Sequence, residues 1–516
     1  LNELKRIRKL HLTIERREEW RLVVDVLSKC EAPVLESLAV RSLVRRVANV
    51  PGGEMMNQHG CVGGGLGLGL GFDVDVFDGF SVGGEDTMKL LQGMFKGHAP
   101  TLKNISLSTV SLSTATPLPW LSNLTTLQVT DLEDQHLMCV WSWLSIVRQT
   151  PLLSSLILRN VFANEVPPSS PSLSENVVLK KLRYIELKGT MMESCEFLEK
   201  LRVPGECRLI VRASRANNAH AAGVLGGWLR ERKMRSEQME GILKTPLEVS
   251  REIEREKRRG RWLLVHPSVN GLVIKVNEVR GGGEGQGMEM DDDEGECVVN
   301  LALSFGFADQ SEERHRLAIE IFDILMRALQ MVYEDKGGFD ALNLSLFGVR
   351  DGIKIWGDEL VQFLAWLDRV EHLQEVSGYT ASVVFPLLVQ SPQHQRKGSA
   401  ASFTSVTSTS PTERFRQNVL LPSLSRITLA FVEFEKNVDD EFEASCNVRA
   451  IPDFVKRRYG LGKEIGAISV VRQRVGSLKV RFECCSGPKS ILDELKKLGV
   501  EYGLGWACDF EEDIDS

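Results

Sequence analysis

No stretch of this sequence approaches ~18 uninterrupted apolar residues, so it offers no membrane-spanning helix. The best run, Val383 to Val389, is short and interrupted by Pro386. The ten cysteines, at 30, 61, 139, 195, 207, 297, 446, 484, 485 and 508, contain no C-x-x-C, so zinc-ribbon spacing is absent. Thiols this sparse in a long chain read as reduced and mostly buried. No G-x-x-x-x-G-K-[ST] and no G-x-G-x-x-G occurs, which removes the usual phosphate-cradling loops. Excess positive charge is missing too. Lys and Arg number 63 against 70 Asp and Glu, a net charge of -7, which argues against a general nucleic-acid binder. The first twenty residues are rich in Arg, Lys and Glu and hold no apolar signal core. A cytoplasmic or nuclear setting is the expectation, and the Asn-x-Ser/Thr triplets at Asn104, Asn123 and Asn343 read as chance.

The chain is not short of material for a core. Of its 516 residues 43% are hydrophobic and 26% charged, which is ordinary globular composition and excludes a disordered chain as a whole. A six-residue pattern recurs, apolar-x-x-apolar-x-apolar. It appears as Leu35-Leu38-Val40, Leu102-Ile105-Leu107, Leu124-Leu127-Val129, Leu153-Leu156-Leu158 and Leu182-Ile185-Leu187. It returns as Phe339-Leu342-Leu344, Leu424-Ile427-Leu429 and Ile465-Ile468-Val470. The last two positions are two apart, which suits one face of a strand, and the first sits where the chain turns into it. Amphipathic stretches lie between, at Thr87–Phe95, His136–Val147, Asp358–Val370 and Ile451–Tyr459. Strand, loop, helix, strand at this scale predicts stacked units that share one core. Starts at 102, 124, 153 and 182 are spaced in or near the leucine-rich-repeat range.

The segment Met94 to Val161 reads Pro100-Thr-Leu102-Lys-Asn-Ile105-Ser-Leu107, then Asn123-Leu124-Thr-Thr-Leu127, then Pro151-Leu-Leu153-Ser-Ser-Leu156-Ile-Leu158. It resembles the leucine-rich-repeat region of the large family of fungal F-box proteins, where such units alternate with short helices. Leu421-Pro422-Ser-Leu424-Ser-Arg-Ile427-Thr-Leu429 extends the likeness, which is firm over about 94–190 and 415–505 and spans most of the chain. The resemblance implies an α/β fold: a leucine-rich-repeat-like solenoid, a curved parallel sheet with helices on its outer side, with irregular repeats and long loop insertions. It implies a non-catalytic protein-recognition module, the substrate-receptor part of an SCF-type ubiquitin ligase. The protein substrate would bind the repeats, and a Skp1-like adaptor would bind an N-terminal F-box missing from this chain. The repeats depart from the family at the ninth position, where Val110, Leu132, Val161 and Thr190 replace the usual Asn or Cys. A leucine-rich-repeat scaffold unrelated to ubiquitin is the alternative.

The expected organisation is an N-terminal strand and helix repeat over 1–50, a Gly-rich loop over 51–84 and regular repeats over 85–215. A charged helical insertion follows over 216–262, then irregular repeats over 263–390 with an acidic loop at 281–297. A Ser/Thr-rich loop fills 391–413, and C-terminal repeats with an acidic tail complete 414–516. Period-two alternation places the residues between the buried apolar positions on an open face. Candidate partner-binding residues there are Ser106, Gln128, Thr130, Arg159, Tyr184, Glu186 and Lys188. No convergent His, Cys or carboxylate pair is foreseen on that face, and no catalytic residue, metal site or cofactor is expected.

Gly79-Phe-Ser81-Val-Gly83 after the strand-like Phe72–Phe77 matches the nucleophile elbow of a serine hydrolase. It lies where glycine is concentrated, so a Gly-rich loop accounts for it, and a hydrolase using Ser81 remains a remote alternative. Asp73, Asp75 and Asp78 miss calcium-loop register by one residue. The Asp291–Glu296 cluster reads as a solvated loop. Arg251–Arg261, with interleaved Glu252, Glu254 and Glu256, reads as an exposed helix with i,i+4 pairs rather than a phosphate-binding patch.

Overall fold

The computed structural model describes residues 5–42, 94–110, 112, 118–163, 176–213, 219–243, 261–268, 271–279, 297–306, 312–333, 338–344, 357–376, 378–388, 420–430, 432–435, 445–447, 451–456, 478–487, 493–494, 496–498 and 505–512. The expected Gly-rich, acidic and Ser/Thr-rich loops, the Ser81 elbow, the Asp73–Asp78 and Asp291–Glu296 clusters, most of Arg251–Arg261 and the Ile465 unit lie outside the described residues.

The chain begins with strand β1 (Lys9–Ile14), helix α1 (Arg17–Lys29) and strand β2 (Ser37–Ser42). Strands β3 (Asn104–Ser108) and β4 (Thr126–Thr130) precede helix α2 (Val140–Arg148) and β5 (Ser155–Arg159). Next come β6 (Val177–Val178), β7 (Tyr184–Gly189), α3 (Met191–Glu199), β8 (Leu201–Arg202) and β9 (Arg208–Ala213). Helix α4 (Ala219–Leu243) leads toward β10 (Arg261–Ser268), β11 (Gly271–Val279) and β12 (Cys297–Gly306), followed by α5 (Glu312–Tyr333) and β13 (Ala341–Leu344). The remainder is α6 (Gly357–Trp366), β14 (His372–Val376), α7 (Gly378–Leu388), β15 (Arg426–Ala430), β16 (Glu433–Glu435), β17 (Ser445–Asn447), β18 (Lys479–Gly487) and β19 (Gly505–Glu512).

Seventeen of these strands belong to one sheet. Its spatial path runs β1, β2, β3, β4, β5, β7, β9, β12, β11, β10, β13, β14, β15, β18, β19. Strands β16 and β17 extend it beside β18. The fold is mixed α/β with a large, mostly parallel sheet. It is not a closed barrel: among the described residues β1 pairs only with β2, and β19 only with β18.

The sheet departs from the all-parallel expectation at one place. Strand β11 runs against both its neighbours, β10 and β12. Only two residues separate Ser268 of β10 from its partner Gly271 of β11, and a link that short joins antiparallel strands only. The hairpin then brings β12 back beside β9 in parallel register, so the surrounding direction is kept.

The six-residue pattern explains the core. Leu38, Ile105, Leu127, Leu156, Ile185 and Leu209 stand opposite one another strand by strand, as do Val40, Leu107, Val129, Leu158, Leu187 and Val211. All are buried. Both rows continue through Leu301 and Leu303, Val276 and Ile274, Leu263 and Val265, and Leu342 and Leu344. Burying each such side chain contributes roughly 1.5–3 kcal/mol. The first apolar position has its own task. The N–H of Leu35, Leu102, Leu124, Leu153, Leu182 and Leu424 each donates to the carbonyl three residues earlier, closing a tight turn.

Register is set just after that turn. The N–H groups of Thr125 and Thr126 share the Lys103 carbonyl, those of Ser154 and Ser155 share Thr125, and those of Arg183 and Tyr184 share Ser154. The same sharing recurs in the second half, where Glu371 and His372 share Asp340, and Ser425 and Arg426 share Glu371. Strand ends are equally regular. Thr109, Asp131 and Asn160 adopt left-handed backbone with φ of 63°, 55° and 51°. Their N–H groups donate to Thr130, Arg159 and Lys188 on the next strand. These residues stand immediately before Val110, Leu132 and Val161, which are all buried.

Helices bury their apolar sides against this core. Trp143 of α2 is fully buried and donates Nε1–H to the Val161 carbonyl at 3.1 Å. The expected helix over His136–Val147 is observed as a short 3-10 turn, Asp134–His136, followed by α2, and that over Asp358–Val370 as α6. Within 216–262, α4 buries Ala221, Ala222, Leu225, Trp228 and Leu229 and packs on α5. Gly226 permits that close approach, since a Cβ there would lie 3.3 Å from Ala328 Cβ. Among the described residues no helix is long and apolar enough to cross a membrane.

Candidate functional site: the polar face of the sheet

The residues between the buried apolar positions point to the other side of the sheet. On β3, β4, β5, β7 and β9 they form three rows. The middle row is Ser106, Gln128, Ile157, Glu186, Ile210. The row toward the strand ends is Ser108, Thr130, Arg159, Lys188, Arg212, and the row toward the strand starts is Asn104, Thr126, Ser155, Tyr184, Arg208. Arg212 is exposed and most of the others are half-buried, so no described element covers this face.

Two of the seven candidate residues are less open than alternation suggests. Thr130 and Glu186 are buried, at 7% and 2% exposure. Ser106, Gln128, Arg159, Tyr184 and Lys188 are half-buried. The structure joins Arg159, Tyr184 and Glu186 into one cluster and sets Lys188 beside it. Gln128 and Ser106 lie two and three strands from Glu186, about 10 and 14 Å at ordinary strand spacing.

Glu186 is the hub of the cluster. Arg159 donates Nε–H to its Oε1 at 3.0 Å and Nη2–H to its Oε2 at 2.8 Å. Tyr184 donates its hydroxyl to Oε2 at 2.9 Å, and Arg212 Nε stands 3.8 Å from Oε1. Burial alone raises the Glu186 carboxyl. Hydrogen bonds from Arg159 and Tyr184, with the charges of Arg159 and Arg212, outweigh it and hold the group below the ordinary carboxylate range. Burial, then the hydrogen bond to Glu186, pushes the Tyr184 phenol up to about 12, so it remains a neutral donor. The hydrogen bond to Glu186 raises the Arg159 guanidinium further above its usual value.

Sequence reasoning missed Arg208 and Arg212. Strand β9 lacks the first apolar position of the pattern, which falls on Glu206. The signal that could have found it is the alternation of Cys207, Leu209, Val211 and Ala213 with Arg208 and Arg212.

Farther along, the face carries Asn343, His372, Gln374 and Thr428. His372 Nε2 lies 2.9 Å from Thr428 Oγ1, and burial with the nearby Arg426 charge lowers its imidazole to about 4. A separate cleft between α5 and α6 is lined by Arg316, Glu320, Asp323, Arg327 and Gln362, and Arg327 and Asp323 pair with each other at 2.7 Å. The thiols of Cys195 and Cys207 are pushed up by burial to about 12 and 11, which keeps them protonated. Among the described residues no group of three or more His, Cys, Asp or Glu could hold a metal ion. Tight charge pairs and small polar groups on a stiff sheet can orient a bound chain. No protein-family model and no curated protein sequence matches this chain.

Proposed function

We propose that the chain is a non-catalytic protein-recognition module that works as a leucine-rich-repeat-like solenoid. Its partner is a protein held on the polar face of the sheet. The observation that carries this reading is the shared register: buried Leu and Ile rows fix every strand, so Ser106, Gln128, Arg159, Tyr184 and Lys188 present one continuous surface. A surface organised before binding loses little side-chain freedom when a partner arrives. The repeated turn at Leu35, Leu102, Leu124, Leu153, Leu182 and Leu424 favours a repeat array over an unrelated α/β sheet.

The likeness to fungal F-box proteins makes the module a substrate receptor of an SCF-type ubiquitin ligase in the cytoplasm or nucleus. A Skp1-like adaptor would be engaged through an F-box that precedes Leu1. Co-purification of the full-length gene product with a Skp1-like adaptor tests this. Stoichiometric adaptor supports the ligase role; its absence leaves a repeat scaffold with no ubiquitin link.

A further inference from the structure

We propose that the part of this face formed by β5, β7 and β9 docks an acidic peptide segment of the recognised protein. The inference rests on the polar face being the recognition surface and adds the chemistry of what it takes. Arg159, Lys188, Arg208 and Arg212 crowd three adjacent strands of a chain whose net charge is -7. Arg159 stands directly opposite Lys188, and Lys188 directly opposite Arg212. Like charges facing each other across neighbouring strands are destabilising, and the strands are only ~4.8 Å apart. A fold that keeps two such juxtapositions breaks a local rule, as sites built for a ligand do.

Internal neutralisation does not remove the excess. Glu186 has both oxygens occupied, by Arg159 and Tyr184, and is 2% exposed. Asp131, at the edge of β4, accepts from Asn160 at 2.7 Å. Among the described residues Lys188 and Arg208 make no side-chain hydrogen bond or ion pair, and Arg212 reaches Glu186 only at 3.8 Å. Glu186 and Tyr184 therefore act as positioning residues. They hold Arg159 at a fixed angle and leave Lys188, Arg208 and Arg212 for carboxylates from outside.

Ile157 and Ile210 flank Glu186 half-buried in the middle row, which suits an apolar side chain between the acids. The band is about two strand spacings wide, roughly 10 Å. That matches one extended peptide better than the longer phosphate track a nucleic acid needs, and the Tyr184 hydroxyl is tied to Glu186.

Binding of the full chain to a fluorescent peptide pool that mixes Glu and Asp with Leu, Ile and Val tests the proposal. The same pool with Gln and Asn in place of the acids is the control, and single-stranded RNA is the competitor. The acidic pool should bind at least about tenfold tighter than the amide pool, and more weakly as salt rises. Lys188→Glu with Arg208→Glu, which leaves the Arg212–Glu186 pair in place, should erase that preference while leaving the thermal midpoint near that of the parent chain. Equal binding of the two pools, binding untouched by the charge reversals, or tighter binding of RNA would overturn it. Failure here remains distinct from failure of the recognition reading. If the acidic pool does not bind but a partner co-purified from the native cell is lost on Ser106→Arg with Gln128→Arg, the face is still the docking surface and only its acidic ligand is refuted.

Discussion

Leu127 of β4 and Leu156 of β5 stand directly opposite one another, each with no exposed surface. They belong to a row that passes from Leu38 to Leu209 without a polar interruption. Leu127→Asp or Leu156→Asp places a charge in this row with no partner to meet it. Each should cost at least about 4 kcal/mol in denaturant unfolding, or leave the chain recoverable only in aggregates. Gln128→Ala, one residue away on the other face, should stay within about 0.5 kcal/mol of the parent. Equal costs at the two faces would contradict the assignment of inside and outside.

Glu186→Gln should separate positioning from charge. The variant keeps the shape of the side chain but loses the bidentate ion pair with Arg159. Because Arg159 is 37% exposed, solvent screens the pair, and the stability loss should be about 1 kcal/mol. A second readout is specific to the cluster. The Tyr184 phenol should fall from about 12 toward its ordinary 10.0 in a tyrosinate absorbance titration, but only part of the way, because burial is the larger cause and remains. No change in the tyrosine titration would contradict the contact.

Acid sensitivity follows from His372. Its folded imidazole titrates at about 4 against an ordinary 6.5, so the folded state disfavours the proton. The unfolded chain binds more protons between those values, so the His372 contribution is complete above about 6.5 and is lost progressively as pH falls toward 4. Glu186 acts in the same direction at lower pH, because its carboxyl is depressed. Unfolding midpoints measured across this window should lose part of their pH dependence in His372→Gln. An unchanged profile would mean that the imidazole is not covered as described.

The left-handed residues give a backbone test. Asp131 has φ of 55°, a conformation that costs an L side chain roughly 1–2 kcal/mol and glycine almost nothing. Asp131→Gly gains that freedom and loses the hydrogen bond from Asn160, so it should be near neutral. Asp131→Val loses the same hydrogen bond and puts a β-branched side chain, which tolerates this φ less well than Asp, in the left-handed region, so it should lose about 1–2 kcal/mol. Equal stability of the two variants would remove the turn from the account.

The strands that the sequence announces are those in which one apolar residue closes the turn and two more enter the buried rows. That condition holds for β2, β3, β4, β5, β7 and β15, and β13 carries the same apolar pattern from Phe339; all of these strands form. It fails for β9, where Glu206 occupies the turn position, and for β14, where Glu375 stands in the pattern and an irregular register brings Val376 opposite Leu429 instead. The β10–β11 hairpin was hidden for another reason: its alternation does not reveal strand direction, which the two-residue link decides. Left-handed turns are foreseeable at Asp131 and Asn160, residue types that tolerate positive φ, but not at Thr109. Alternation correctly places Glu186 on the polar face. Its burial depends on Arg159, 27 residues away, which no local pattern contains.

The most direct test of one sheet in one register, with its polar side open, is electron paramagnetic resonance of nitroxides placed at Gln128 and Ile157. These positions face each other on adjacent strands, about 4.8 Å apart at Cα. The account predicts strong dipolar broadening in the double-labelled chain relative to either single label, with both labels accessible to a water-soluble relaxation agent. Spectra of the pair that match the sum of the singles would contradict it.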